Sequence, residues 1–502
     1  MSRLHTSSRN SRGGAGIIFI FACTTLLATA LFQIASAQNV IWSQRFDSGF
    51  PDWGIGGEVD PFGDVVVVGR SALDPESDSI WALVVKYNPD GETLWSKTFD
   101  SDAILDQPYT CAVDRDGGII AVGIYSYGWE GGGQVIKFDR NGNLLWVQRP
   151  SLSGYDYTDL GAVVVDDSNN IIVAGCAGHN GEPHEPDVLI IKYTPDGEPA
   201  WTYVQDFGGS FWEYISALAF DKNRNLIASG NIGDRYYDSD FFTVKFSPEM
   251  ETIWTRTFDF QELEGATGVI CDANNNIFLC GGSSEPQGPY VPVIIKYLPT
   301  GETGWVRVYY PPVGSSFAGD IGIDATGNVL VVGGRDDPPQ GMTTSCLLLN
   351  YSPSGNLNWL WTYRTDVNSW AHDICLSSPD ILYLFGVTQD SFGDNPDMLV
   401  AKLRYPLGLA APRFFESPNQ VMMLNPTVIA RNAVLILSVK QPADYRITLY
   451  DLTGREVERL YQGYLGSGEY RLPIKPNLKN GVYLVRIETG GSYQTSKVIL
   501  AR

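Results

Sequence analysis

Between Val65 and Tyr405 the apolar residues come in short runs, separated by turns rich in Asp, Asn, Gly and Pro. One kind of run ends in an aspartate: "CAVD" at Asp114, "VVVD" at Asp166, "ALAFD" at Asp221, "GVICD" at Asp272 and "DIGID" at Asp324. A tight turn leads to a second run, such as "IIVAG" ending at Gly175 or "VLVVG" ending at Gly333. After a longer polar loop comes a third, "VLIIKY" or "PVIIKY", apolar at successive rather than alternating positions. Short apolar runs bounded by turn residues predict β-strands, and a run without alternation predicts a strand covered on both faces.

The third run opens a line that recurs almost word for word. "KYNPDGETLW" spans Lys86 to Trp95, and "KYTPDGEPAW" spans Lys192 to Trp201. Pro presets φ for the second position of a type I turn, Asp suits the third, and Gly takes the left-handed position that follows. Lys-aromatic pairs stand at Lys86, Lys137, Lys192, Lys245 and Lys296, with Asn350-Tyr351 as a variant and Lys402 closing the series. The tryptophans that follow are Trp95, Trp146, Trp201, Trp254, Trp305 and Trp359, at intervals of 51, 55, 53, 51 and 54 residues. Such a period signals a repeat architecture, with a four-stranded propeller blade as its unit.

The last unit runs through "DICL", "LYLFG" and "MLVAKLRY" and stops without its tryptophan strand. The missing piece stands at the other end, in "VIWSQRFD", where Trp42 lies 53 residues before Trp95. Six complete units and one shared unit predict an all-β, seven-bladed β-propeller closed by an N-terminal strand. Closure removes the strand edges that an open array would expose. The count requires the Trp42 strand to pair beside residues 398–404.

Composition agrees with this reading. The 502 residues are 44% apolar and 12% aromatic, with 53 Gly, 29 Pro and only 18% charged residues, a balance suited to many strands and turns. Residues 1–37 stand apart: Arg3, Arg9 and Arg12 precede an apolar run from Ile17 to Phe32, and Ala35-Ser36-Ala37 follows. This is the pattern of a secretory signal peptide cleaved before Gln38, with no membrane-spanning segment after cleavage. Without those arginines the mature chain carries about −25, whereas residues 428–502 carry +5, from 11 Lys/Arg against 6 Asp/Glu. Residues 38–427 therefore hold about −30, which excludes nucleic acid as a partner. Six cysteines remain (Cys111, Cys176, Cys271, Cys280, Cys346 and Cys375) in a compartment that permits disulfides; most fall within apolar strand sequence and read as buried thiols.

The repeat of Asp-turn, apolar run and Lys-aromatic line resembles the bacterial seven-bladed β-propeller repeats, over roughly residues 40–405. That resemblance implies a fold and leaves the function open. Past Tyr405, Pro406, Pro412, Pro418 and Pro426 mark a linker over 406–427, and residues 428–502 read as a small Ig-like β-sandwich. "LYDLTGREV", "GEYRL", "NGVYLVRIE" and the terminal "SKVILAR" are similar to the C-terminal sorting domain of type IX secretion cargo. The resemblance implies that residues 428–502 engage the type IX machinery and deliver residues 38–405 outside a Gram-negative cell.

No nucleophile elbow, zinc-protease motif or Walker loop occurs, and no catalytic residue or cofactor can be named from motif. The turns "DDSNN", "DKNRN" and "DANNN" resemble the start of a calcium loop, but none continues to the closing Glu, and turn chemistry explains them. "HNGEPHEPD" places His179 and His184 among carboxylates without a third convergent ligand, so no metal is expected there either. The loops between second and third strands are long and carry aromatics beside carboxylates and amides. Tyr125, Trp129, Trp212, Tyr236 and Trp370 are thus candidate ligand-binding residues for a glycan or a protein. Two functions suit the chain: an exported binding or adhesion propeller, or a secreted carbohydrate-active hydrolase or lyase on the same scaffold. Carboxylates of raised pKa gathered in a central depression would favour the enzyme, and a shallow aromatic face would favour binding.

Overall fold

The computed structural model describes residues 39–405 apart from short loop segments, and most of residues 422–500. Residues 1–38, where a signal peptide is expected, residues 406–421 of the expected linker, Trp129, Tyr236 and most of the "HNGEPHEPD" loop lie outside the described residues. The described residues fall into two compact units, one within 1–302 and 309–409 and the other within 303–308 and 410–502.

The first unit is built from up-and-down antiparallel runs of strands. The first run comprises Asp52–Val59, Val65–Ser71, Trp81–Tyr87 and Thr93–Phe99. Its second strand has Val65, Val66, Val67 and Val68 fully buried, and its third is buried from Ala82 to Tyr87, as unbroken apolar sequence requires. The outer strand is mostly exposed, with only Trp95 and Phe99 half-buried. Later runs repeat the plan, and their innermost strands are Leu105–Val113, Tyr157–Val165, Trp212–Phe220, Leu263–Cys271, Ser316–Ile323 and Asn368–Ser378. Two neighbouring runs share one sheet through a single parallel bridge, Ser239 to Leu263.

The N-terminal strand Val40–Phe46 pairs antiparallel with Asp397–Arg404, with Trp42 opposite Lys402. It completes the sheet that holds Ile381–Gln389 and Asn368–Ser378. That sheet packs on the first run: Tyr383, Phe385, Met398 and Val400 share a core with Val65, Val67, Leu83, Val85 and Tyr87. The chain ends of this unit are therefore joined by both backbone pairing and side-chain packing.

The recurrent line gains its meaning between runs rather than within one. Trp42 Nε1 donates to Pro89 O at 3.0 Å, Trp146 to Pro195 O at 3.2 Å, and Trp254 to Pro299 O at 3.1 Å. Each indole thus caps the Pro-x-Gly turn of the following run. Gly91 has φ of 89° and a Cβ there would meet Trp42 at 2.8 Å, so both its backbone and its neighbour demand glycine.

Lysine and turn aspartate are coupled in the same recurrent manner. Lys86 Nζ meets Asp60 at 2.7 Å, Lys137 meets Asp114 at 2.9 Å, Lys192 meets Asp166 at 2.8 Å and Lys245 meets Asp221 at 2.7 Å. The other oxygen of each aspartate accepts turn amides, as Asp166 Oδ1 does from Ser168 and Asn170 at 2.8 and 2.9 Å. Where Asn350 replaces lysine, the Tyr405 hydroxyl donates to Asp324 at 2.5 Å. In the turns that resemble calcium loops, Asp166 and Asp221 spend their carboxylates on their own turns and on lysines, and Asp272 on its own turn.

Within the second unit, one sheet joins Met422–Met423, Val434–Val439 and Gly468–Pro473. Another orders Val428–Ile429, Ser492–Leu500, Gly481–Thr489, Ala443–Asp451 and Glu456–Leu465. Tyr445, Ile447, Leu449, Leu465, Leu472, Tyr483, Val485 and Ile487 form its core.

Candidate active site

The innermost strands of the first unit surround a cavity of about 990 Å³. Every one of the seven carries a register irregularity at the same level, between Gly54 and Gly56, Pro108 and Thr110, Leu160 and Ala162, Ile215 and Ala217, Ala266 and Gly268, Ala318 and Asp320, and Ala371 and Asp373. A bulge bends its strand and re-aims the side chains beside it. The residues skipped by pairing are Ile55, Tyr109, Gly161, Ser216, Thr267, Gly319 and His372, and all line the cavity. Two of their hydroxyls tie one strand to the next: Ser216 Oγ donates to Ala266 O at 2.5 Å, and Thr267 Oγ1 to Ala318 O at 3.1 Å.

Just past the bulge, five strands place Gly56, Thr110, Ala162, Ala217 and Gly268, while two place Asp320 and Asp373. These two carboxyls, both in the wall of the cavity, hydrogen-bond to each other. Burial raises both above the usual carboxylate range, Asp320 the more, and Asp373 adds its charge to the rise of Asp320. Two like charges in contact in a poorly solvated place cannot both ionise, so the pair holds one proton. Both also accept backbone amides, Asp373 from Gly57 at 2.8 Å and Ile374 at 2.6 Å and Asp320 from Ile321 and Ile374, and Asp320 is raised the further of the two.

Glu58 also lines the cavity, and its Oε2 accepts the Val113 amide at 2.7 Å. Burial, with a smaller contribution from the Asp373 charge, pushes its carboxyl up to about 7. His372 is driven down to about 4 by burial and by the charge of Arg70, so it is neutral at ordinary pH. Its Nε2 accepts the Trp370 indole N–H at 3.0 Å. Tyr214 donates to Asp159 at 3.3 Å, and burial raises its phenol. The arrangement offers a proton donor, a proton acceptor and room for a substrate, the parts that general acid–base chemistry needs.

The six cysteines among the described residues are free thiols. Cys111 and Cys375 line the cavity, but burial raises both, Cys375 to about 12, so neither is a thiolate nucleophile.

Of the binding residues named from the sequence, three are described. Tyr125 lies under the Arg149 guanidinium at 4.0 Å and against Tyr127 at 5.7 Å. Trp212 begins an innermost strand opposite Gly233. Trp370 holds His372, as above. None of the three is among the described residues that line the cavity. Motif reading passed over Glu58, Asp320 and Asp373. The signal available was positional: in aligned repeats, "AGD" and "AHD" carry an acid where the other units carry a small or hydroxylated residue.

Residues 430–501 match the family model of the secretion system C-terminal sorting domain. That domain marks cargo of the type IX system, so the protein is secreted or held at the outer surface of a Gram-negative bacterium. No curated protein matches the chain by sequence. Among solved structures it is similar to polysaccharide lyase Uly1, at 12% identity, covering 70% of this chain and 90% of that one with a TM-score of 0.45. An alpha-L-arabinanase of Penicillium chrysogenum is similar at 11% identity, 73% and 97% coverage and a TM-score of 0.39. A protein of unknown function from Dyadobacter fermentans is similar at 13% identity, 73% and 97% coverage and a TM-score of 0.39.

Proposed function

We propose that residues 38–405 form a seven-bladed β-propeller, that residues 428–502 form an Ig-like sandwich read by the type IX machinery, and that the exported protein is a carbohydrate-active hydrolase. The observation that carries the activity is the gathering of Glu58, Asp320 and Asp373 inside one cavity at the axis of the repeats. Asp320 and Asp373 are in hydrogen-bond contact, too close to flank a glycosidic bond from opposite faces as two separate groups. They act as one unit bearing a single proton and a single charge, with Glu58 as its partner.

Glu58, half protonated near neutral pH, gives its proton to the leaving oxygen as the glycosidic C–O bond breaks. The charged oxygen of the aspartate pair takes a proton from water while the water oxygen bonds to the anomeric carbon. Water is thereby split between the two products, and one proton transfer returns both acids to their starting state. The test is release of reducing ends from polysaccharides by the purified mature protein, compared with Glu58→Gln and Asp320→Asn. Activity lost in both variants, with the fold retained, supports the assignment; undiminished activity in either removes it.

A second reading, an exported binding or adhesion propeller, rests on one observation. Glu58 and Asp373 each accept an amide of the neighbouring innermost strand, at Val113 and Gly57. Acids that staple strands serve a binder as well as an enzyme. Retention on glycans without any release of reducing ends is the result that selects it.

A further inference from the structure

The cavity is lined by charge of one sign only. Among its described lining residues Glu58, Asp320 and Asp373 are acids, His372 is neutral, and none is Lys or Arg. Arg70, whose charge reaches His372, is not among the lining residues: its guanidinium lies 4.4 Å over the Trp53 ring and donates to Gln107 at 2.6 Å. Residues 38–427 as a whole, these three acids included, carry about −30. Resting on the carbohydrate reading above, we infer that this cavity takes an uncharged polysaccharide and rejects chains bearing uronate or sulfate groups.

The physical reasons act in the same direction. An anionic sugar entering the cavity gives up hydration and meets no basic side chain among the described lining residues in return. It also approaches carboxyl groups through a negative field that opposes its arrival. A neutral sugar meets neither obstacle. Its hydroxyls donate to the ionised carboxylate and accept from the protonated ones, while Tyr109, Tyr290 and Phe317 line the same cavity and supply apolar surface for its C–H groups. The same lining separates the two chemistries left open by the sequence. Elimination from a uronate requires the charge of its carboxylate to be neutralised as the adjacent proton leaves, and the described lining supplies no Lys or Arg to do that. Hydrolysis of a neutral glycoside makes no such demand.

The experiment uses the purified mature protein in affinity gels. One set contains a neutral β-glucan, mannan or arabinan; the other contains polygalacturonate, alginate or a sulfated galactan. Reducing-end release is assayed in parallel. At least one neutral polymer is expected to retard the protein about ten-fold more strongly than any anionic one, with little dependence on salt. Phe317→Ala and Tyr290→Ala are each expected to weaken that retardation, and Thr110→Lys, which brings a cation to the wall, to raise the relative retention by anionic chains. Preferential retention by an anionic polymer overturns the inference. So does no retention by any polymer, or neutral retention indifferent to all three substitutions in variants that still unfold cooperatively. Neutral retention that follows the substitutions but yields no reducing ends upholds the inference while ending the hydrolase reading, so the two fail separately.

Discussion

Glu58 couples the candidate chemistry to stability through one proton. Its carboxyl rises from 4.5 to about 7 on folding because burial disfavours the charge. The folded state therefore holds a proton that the unfolded chain has released across that window, and this contribution to stability is lost as pH climbs through about 7. Glu58→Gln is expected to flatten that part of the stability curve, measured by urea denaturation between about pH 5 and 8. As a general acid Glu58 must be protonated, so hydrolysis should also fall on the alkaline side of about 7, and Glu58→Gln should lower the rate on the order of 100-fold or more. A different residue-scale cost is visible at Arg224, whose φ of 63° occupies the position that Gly63, Gly117 and Gly327 fill in equivalent turns. The left-handed region costs a non-glycine residue roughly 1–2 kcal/mol. The exposed pair of Arg224 with Asp167 offsets little of that. Arg224→Gly should raise stability by up to about 1 kcal/mol in equilibrium unfolding, after glycine's greater loss of chain entropy is allowed for.

At the scale of elements, the repeated line is a device for joining one run to the next. Lys86 is 2% exposed and meets a fully buried Asp60, so Lys86→Met leaves a carboxylate without its cation. The expected loss is about 3–5 kcal/mol, and Asp60→Asn added to it should recover part of that, read from a double-mutant cycle in denaturant. Trp42→Phe keeps most of the packing and removes the hydrogen bond to Pro89, for an expected loss of about 1 kcal/mol. Removing residues 40–46 altogether exposes the edge of the strand Asp397–Arg404 and uncovers the core around Tyr383 and Tyr87. Loss of a single cooperative transition on heating is the expected outcome. The strands themselves were legible from their apolar runs and turn residues. Which turn each tryptophan caps was not, because a nine-residue spacing fixes a place along the chain and says nothing of the neighbour across the gap.

For the molecule as a whole, export and site are carried by different parts of the chain. A truncation ending at residue 429 removes the sorting domain matched over 430–501 and should leave the remaining protein in the periplasm, as cell fractionation with an antibody to residues 38–405 would report. Alone, the sequence determined the strand runs, the recurrent turns, the closing role of the Trp42 strand and the C-terminal address. Each of these is written locally, in hydrophobic order, in the backbone demands of Pro, Asp and Gly, or in a contiguous motif. The cavity was decided only by tertiary structure. Glu58, Asp320 and Asp373 lie on innermost strands of the first, sixth and seventh runs, as far apart as 315 positions, and meet because the last run returns beside the first. Their protonation follows from burial and mutual contact, properties that no residue carries until the chain has closed around it.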